Sequence, residues 1–256
     1  MRIKLPVRSY VAVPTSNPPG LVEQVWDLDP EKTAFVSLHC WNIGCPGGIP
    51  APEDYWVFMG SPQNHVYAWK TLTEGIVPAM NAARSVGMPV VHVQGEKIGV
   101  KYLHLQPPSP PAVPGPASNP PMSNHLTAYK ERVHGEGFMG WQGWNDVDFP
   151  EPVKPIDGEV VVVNTAQFDD WLRTKCIDTL LYTGFATNLC IIDSPAAMKA
   201  MAILGYRCVI LREATTGVEF PDTMESRTHT LSAIRYIEAW WGYSAGSADF
   251  ISACEK

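Results

Sequence analysis

The stretch Asp178-Thr-Leu-Leu-Tyr-Thr-Gly-Phe-Ala-Thr-Asn-Leu-Cys190 decides the fold class of this chain. Its first half is a short, continuously apolar run, which is typical of a strand buried on both faces of a sheet. Gly184 permits a tight turn directly after that strand. The segment from Cys190 to Leu204 then predicts a helix that ends at Gly205. The stretch is therefore the strand-to-helix junction of an α/β protein.

Strands and helices alternate on both sides of this junction. Apolar runs predict further strands at residues 33–38, 89–93, 159–163 and 206–211, and periodic segments predict helices at 70–87, 169–175 and 223–241. Continuous apolar strands separated by helices indicate a parallel sheet that is covered on both faces. We therefore predict a single three-layer α-β-α domain over residues 1–256, with a central parallel sheet of about five or six strands.

Two segments do not follow this alternation. Residues 1–32 are rich in proline and polar residues, and they are expected to form an N-terminal arm on the surface or on a neighbouring subunit. Residues 100–155 form a Pro-rich and aromatic insertion that contains QPPSPPAVPGPASNPPMSNH and lacks a periodic core pattern. Because proline cannot join the hydrogen bonding of a central strand, we expect residues 105–155 to contribute none.

Composition excludes several classes of function. The chain has 256 residues and a net charge of −7, which does not fit a nucleic-acid surface. It has no apolar run long enough for a membrane span and no signal-peptide pattern, so we expect a cytoplasmic protein. The six cysteines are scattered without paired spacing, which favours neither a disulfide framework nor a zinc site. No nucleotide-binding motif is present, and we predict neither a cofactor nor a metal.

Cys190 is the residue that carries the candidate chemistry. The predicted helix places it in the first turn, where free N–H groups and the helix dipole stabilise a thiolate. The same N–H groups can hold an oxyanion that forms when the thiolate attacks a carbonyl. Seen alone, a cysteine at such a junction is more often a packed thiol, so the interpretation depends on the whole string around it.

That string resembles a family signature. Gly184-Phe-Ala-Thr-Asn-Leu-Cys190 is similar to the G-[VIF]-A-T-[ND]-x-C motif of the isochorismatase-like cysteine hydrolases, which include nicotinamidases, N-carbamoylsarcosine amidohydrolases and ureidoacrylate amidohydrolases. CIDTLLYTG upstream and DSPAAMKAMAILGYRCVILREATTG downstream also resemble this family. The resemblance covers residues 157–219 well, 33–94 moderately and 95–156 not at all. It implies that Cys190 is the nucleophile, that a cis peptide precedes Ala186, and that the N–H groups of Ala186 and Cys190 form an oxyanion hole.

Two other catalytic positions of the family carry different residues. The family's aspartate ends the first parallel strand, where this chain has His39, and its lysine ends a later strand, where this chain has Asn164. In one interpretation catalysis persists, because a histidine can take the proton of a thiol and an asparagine can orient the imidazole. In the other the site has decayed, and the fold persists as a ligand-binding or assembly module. Lys97 and Lys101, which follow the second parallel strand, are candidates for the missing ammonium group.

The aromatic residues Trp41, Phe185, Trp141 and Trp144 are candidates for a pocket that binds a flat or apolar substrate, although aromatics of the insertion can equally pack against the sheet or a neighbour. The main hypothesis is a cysteine-dependent hydrolase that cuts a C–N bond of a small amide or ureido compound through a thioacyl intermediate. Ether hydrolysis of isochorismate is disfavoured, because it uses the aspartate that is His39 here. We expect a homo-oligomer, and we expect Cys190 to alkylate fastest of the six thiols, even at pH 6 if His39 pairs with the thiolate.

Overall fold

The computed structural model describes residues 2–110 and 124–256, with only the backbone described for residues 124–127. Eight strands of the described residues form one sheet in the order β2-β1-β8-β7-β6-β3-β4-β5. Their bounds are β1 Ile3–Val11, β2 Gly20–Leu28, β3 Thr33–Leu38, β4 Val90–Val93, β5 Val160–Val162, β6 Thr179–Phe185, β7 Arg207–Thr216 and β8 Tyr243–Ala245. The strands β8, β7, β6, β3, β4 and β5 run parallel to one another. The alternation predicts the five strands from β3 to β7, and β8 is an additional strand that it does not predict.

Helices cover both faces of this sheet, which confirms the three-layer α-β-α fold. The helices are α1 Pro62–Thr71, α2 Val77–Ser85, α3 Glu96–Gly99, α4 Asn124–His134, α5 Thr165–Thr174, α6 Met198–Ile203, α7 Thr228–Trp240 and α8 Ser247–Cys254, with a π-turn at Leu72–Ile76 between the first two. One buried cluster contains Met80 of α2 and Phe250 of α8, and a second contains Phe168 of α5 and Met201 of α6. No helix of the described segments is long and apolar enough to cross a bilayer.

The N-terminal segment differs from the prediction. In place of an arm, residues 3–28 form the antiparallel hairpin β1–β2, and β1 extends the sheet by pairing antiparallel with β8. Its burial alternates, with Ile3, Leu5 and Val7 fully buried and the residues between them exposed. Such alternation is typical of a strand with one solvent-facing side, and the prolines of this region concealed it.

The segment after Cys190 also differs from the prediction. The helix begins only at Met198, and residues 187–196 form consecutive turns and bends. Pro195 disfavours the helical conformation of the residue before it, and Ala196 adopts a left-handed φ of 61°. Cys190 therefore does not lie in the first turn of an α-helix, and the helix dipole does not act on its sulfur.

The described parts of the insertion pack against the loop that follows β3, and Val147, Phe149 and Val153 join the same buried cluster as Met80. Its described parts contain α4 and short 3-10 turns but no strand, as expected for residues 105–110 and 124–155. The side chain of Asn42, in the loop after β3, accepts a hydrogen bond from the Asp148 N–H at 3.0 Å. Asn42 N–H in turn donates to the Asp148 carbonyl at 2.9 Å. Most of the polyproline-like stretch, residues 111–123, lies outside the described residues.

Candidate active site

The carboxyl ends of four neighbouring parallel strands meet at one edge of the sheet. His39 follows β3, Gln94 follows β4, Asn164 lies just beyond β5, and Ala186 follows β6. The ladder continues to this edge, since His39 N–H donates to Val93 O at 2.9 Å and Gln94 N–H donates to Val162 O at 3.0 Å. In open α/β sheets this edge, beyond the carboxyl ends of the strands, is where ligands bind.

Gly184 allows the nucleophile segment to approach β3. Its φ is +113°, a backbone angle that residues with a side chain rarely adopt, and it pairs with Leu38 in the sheet. A Cβ atom added at Gly184 would meet the carbonyl oxygen of Leu38 at 1.9 Å. The glycine of the G-F-A-T-N-L-C string is therefore required by this close contact between backbones, beside His39.

The turn that carries Cys190 is held by its own backbone. The peptide bond between Phe185 and Ala186 is cis, as the resemblance implies. The carbonyl oxygen of Ala186 accepts hydrogen bonds from the N–H groups of Leu189 at 3.0 Å and Ile191 at 3.1 Å. These bonds wrap residues 186–191 into a compact turn with Cys190 near its end.

Thr187 and Asn188 anchor this turn to β7 and the loop that follows it. The hydroxyl of Thr187 lies 2.7 Å from the hydroxyl of Thr215. The Asn188 amide bonds both backbone groups of Val218, accepting from its N–H at 2.9 Å and donating to its carbonyl at 3.1 Å. The threonine and asparagine of the motif therefore serve to position the cysteine, a role that the spacing alone does not indicate.

The thiol of Cys190 is half-buried, and burial raises its pKa. The backbone N–H groups of Ala186 and Cys190 lower the pKa of the thiol in part, but burial is the larger effect. Cys190 thus stays a neutral thiol at pH 7. Cys176 is the exposed thiol among the six, so exposure favours Cys176 over Cys190 in reaction with a small alkylating reagent.

His39 is a half-buried and neutral imidazole. Burial lowers its pKa to about 4, so the ring is uncharged at neutral pH. Its backbone adopts a left-handed φ of 53°, and its Nδ1 is buried without a hydrogen-bond partner. No hydrogen bond joins His39 to Cys190 within the described residues, and neither group contributes to the pKa shift of the other. The expected imidazolium–thiolate pair is therefore not supported at neutral pH.

Asn164 has a clear structural task. Its Oδ1 accepts a hydrogen bond from the Gln167 N–H at 2.8 Å and so caps the N-terminus of α5. It makes no hydrogen bond to His39, so the expected orientation of the imidazole by Asn164 is absent here.

Gln94 is a neighbour of His39 that sequence reasoning missed. It is 1% exposed, its Nε2 donates to Cys40 O at 3.0 Å, and its buried Oε1 has no partner. The available signal was a polar residue placed directly after an apolar parallel strand.

A cavity of about 310 Å³ lies beside His39. Its lining combines the rings of Trp41, Phe58 and Trp144 with Lys97. The Trp41 ring lies 3.9 Å from that of Phe58, and the Lys97 ammonium lies 4.5 Å from the centre of the Trp144 ring. This volume and this apolar lining suit a small-molecule ligand.

The remaining aromatic candidates do not line this cavity. Phe185 borders a much smaller void on the other side of Trp41, and Trp141 packs edge-on against Trp144 at 5.3 Å. Of the two lysine candidates, Lys101 donates to the carbonyl of Val147 at 2.8 Å and so fastens the insertion, whereas Lys97 faces the cavity. Among the residues that the structure describes, no three His, Cys, Asp or Glu side chains are grouped as metal ligands.

The family profile of the isochorismatase domain matches residues 54–236. The chain therefore belongs to the isochorismatase family, a family of hydrolases.

Curated members of the family are similar to this chain over most of its length. A ureidoacrylate amidohydrolase RutB of Caulobacter vibrioides is 25% identical over 232 residues, which cover 87% of this chain and 91% of the relative. The RutB of Pseudomonas savastanoi pv. phaseolicola is 29% identical over 180 residues, which cover 67% of this chain and 66% of the relative.

Among solved structures, a cysteine hydrolase from Pseudomonas syringae pv. phaseolicola matches with a TM-score of 0.53 and 19% identity, covering 90% of this chain and 95% of that one. An isochorismatase family protein from Desulfovibrio vulgaris matches with a TM-score of 0.50 and 18% identity, covering 88% of this chain and 99% of that one. At these identities the likeness concerns the fold.

Proposed function

We propose that this protein is a cysteine-dependent hydrolase that cuts a C–N bond of a small amide or ureido compound. Cys190 is the nucleophile, and the N–H groups of Ala186 and Cys190 hold the oxyanion. The observation that carries the proposal is the compact turn after the cis peptide bond between Phe185 and Ala186, which holds Cys190 at the carboxyl edge of the sheet, where the N–H groups of Ala186 and Cys190 lower the pKa of the thiol. Such donors stabilise the negative charge that develops on a carbonyl oxygen under attack.

His39 is the proposed base. Its pKa of about 4 leaves it neutral, and therefore able to accept a proton, from about pH 5 upward. The sulfur attacks the carbonyl carbon as its proton passes to the imidazole, and the imidazolium then protonates the departing nitrogen. This leaves a thioester on Cys190, which water hydrolyses to release the acid and restore the thiol. In this mechanism the proton moves during attack, since a neutral thiol and a neutral imidazole precede it.

The cavity beside His39 suggests the substrate class. Three aromatic rings favour a flat acyl group. The lining also carries two charged side chains, Glu96 and Lys97, and the Lys97 ammonium suits a substrate carboxylate. The named relatives act on ureidoacrylate, a flat compound with a carboxylate, and a compound of that kind fits this lining.

A second candidate function is a non-catalytic member of the family that binds a small molecule. The observation that favours it is that Cys190 is not among the described residues lining the 310 Å³ cavity, whereas His39 is. A ligand could therefore occupy the cavity without contacting the thiol.

Ammonia release from a panel of small amides and ureido acids, with ureidoacrylate included, separates the two functions. The proposed hydrolase releases ammonia from at least one compound, and Cys190→Ala abolishes that release. Cys176→Ala is the matched control, because its thiol is exposed, and it should retain full activity. Binding of a panel compound without turnover would favour the non-catalytic function.

A further inference from the structure

A second and larger cavity lies away from Cys190, between the helix α1 with its π-turn and the helix α7. Its volume is about 690 Å³, and none of its lining residues lines the cavity beside His39. The cationic side chains at its wall are Arg8, Lys70, Arg212, Arg227 and Arg235. The carboxylates there are Glu74, Glu213 and Glu238. The lining therefore has two more cations than carboxylates, although the chain as a whole has a net charge of −7.

The buried carboxylate of this cavity, Glu238, already accepts hydrogen bonds from three protein donors. Glu238 is fully buried and accepts from Arg8 Nε at 2.8 Å, from Arg235 Nε at 3.1 Å and from the Ser244 hydroxyl at 2.6 Å. Each guanidinium binds Glu238 through Nε, and within the described segments its terminal nitrogens make no hydrogen bond. Arg212 donates to the Ser244 hydroxyl at 3.0 Å, and its nearest carboxylate oxygen, on the exposed Glu213, is 3.8 Å away.

Arg227 has no carboxylate within ion-pair distance among the described residues. Its Nη2 donates to the hydroxyl of Thr216 at 3.1 Å and to the Thr215 carbonyl at 3.5 Å, and its Nε is buried without a hydrogen-bond partner in the described part of the chain. A buried donor that lacks an acceptor costs free energy, which a bound oxygen atom would recover. Arg227 therefore points to an anionic ligand in this cavity.

We propose that this cavity binds a small phosphate monoester. A surplus of two positive charges matches the phosphate dianion at neutral pH, and the planar guanidinium group suits paired phosphate oxygens. The volume exceeds the needs of inorganic phosphate alone. Tyr67, Leu231 and Ile234 contribute apolar surface that suits the organic part of the ester.

Isothermal titration calorimetry with phenyl phosphate, inorganic phosphate and succinate tests the proposal on the full chain. We expect one saturable site for phenyl phosphate, weaker binding of inorganic phosphate, and still weaker binding of succinate. Cys190→Ala should bind phenyl phosphate as the parent does, so the result does not depend on hydrolysis. Absence of saturable binding at millimolar phenyl phosphate, or succinate binding as tight as phenyl phosphate, would overturn the proposal.

The variant Arg227→Gln should raise the Kd for phenyl phosphate roughly ten- to a hundredfold, and Arg227→Lys should restore part of the affinity. Arg212→Gln provides a second variant in case the first does not fold, with the same direction expected. Arg173→Gln is the matched control, since Arg173 pairs with Asp169 on α5 and lies outside the cavity. An unchanged Kd in both folded cavity variants would also contradict the assignment.

Discussion

His39 and Gln94 stand at the ends of two neighbouring parallel strands, and each buries one polar atom that lacks a hydrogen-bond partner. The atoms are the Nδ1 of His39 and the Oε1 of Gln94. Leaving such an atom unpaired costs about 1–3 kcal/mol, and native structures rarely accept this cost without a functional reason. We interpret the pair as the polar part of the candidate site, prepared for a substrate group.

Gln94→Glu should raise the pKa of His39. A carboxylate on the neighbouring strand end favours the imidazolium, so the pKa should rise from about 4 by roughly one to three units. A proton NMR titration of the histidine ring signals measures this directly. Gln142→Glu, at an exposed position of the insertion, is the control and should leave the His39 titration unchanged. If Gln94→Glu also leaves it unchanged, the two side chains do not face the same space.

His39→Gln should remove part of the acid sensitivity of folding. In the unfolded chain this histidine has its ordinary pKa of 6.5, whereas in the folded chain its pKa is about 4. Stability therefore falls as the pH drops from 6.5 toward 4, and this group contributes about 2–3 kcal/mol of the loss. Urea unfolding at pH 7 and pH 4.5 should show a smaller loss for His39→Gln than for the parent. His104→Gln, at an exposed position, should lose as much stability as the parent.

Asn164→Ala should lower the free energy of unfolding by about 1 kcal/mol, because it removes the cap of α5. Asn164→Asp keeps an accepting oxygen at the cap and should be close to the parent in stability. Since Asn164 makes no hydrogen bond to His39, Asn164→Ala should shift the pKa of His39 by no more than a small fraction of a unit. A large shift in Asn164→Ala alone would restore an orienting role for this residue.

Gly184→Ala should destabilise the fold far more than Gly87→Ala. Both glycines have positive φ, at +113° and +70°, but an added Cβ meets Leu38 O at 1.9 Å only in the first case and meets nothing within 4 Å in the second. The left-handed conformation alone costs about 1–2 kcal/mol, which sets the expectation for Gly87→Ala. Thermal or urea unfolding of both variants measures the difference, and equal effects would show that β6 can move away from β3.

The central fold could be predicted from the sequence because its strands are continuous apolar runs. The bounds predicted for β3, residues 33–38, agree with the structure, and five of the six parallel strands, β3 to β7, lie where the alternation predicts them, whereas β8 was not predicted. The hairpin β1–β2 was missed because its apolar residues alternate with polar ones among several prolines. The helix α6 begins later than predicted because of Pro195 and the left-handed φ of Ala196. Apolar periodicity alone does not reveal either effect.

The candidate site was predictable in part. The motif indicated Cys190 and the strand ends indicated His39, but burial determines their protonation, and burial of a loop residue cannot be deduced from spacing. Asn164 matched a catalytic position by alignment, yet its side chain caps a helix. The roles of Gln94 and Lys97 depend on how the loop after β4 packs against the insertion. The family resemblance does not cover the insertion, so it gives no information about these contacts.

The most direct test of the central claim is to trap the thioester. The parent protein is mixed with the compound of the amide and ureido panel that releases ammonia fastest, acid-quenched within the first turnovers, and analysed by intact and tandem mass spectrometry. We predict an added mass equal to the acyl group, located on Cys190, absent from Cys190→Ala and unchanged in Cys176→Ala. Ammonia release that continues in Cys190→Ala, or an acyl group found on another residue, would contradict the assignment of Cys190 as the nucleophile.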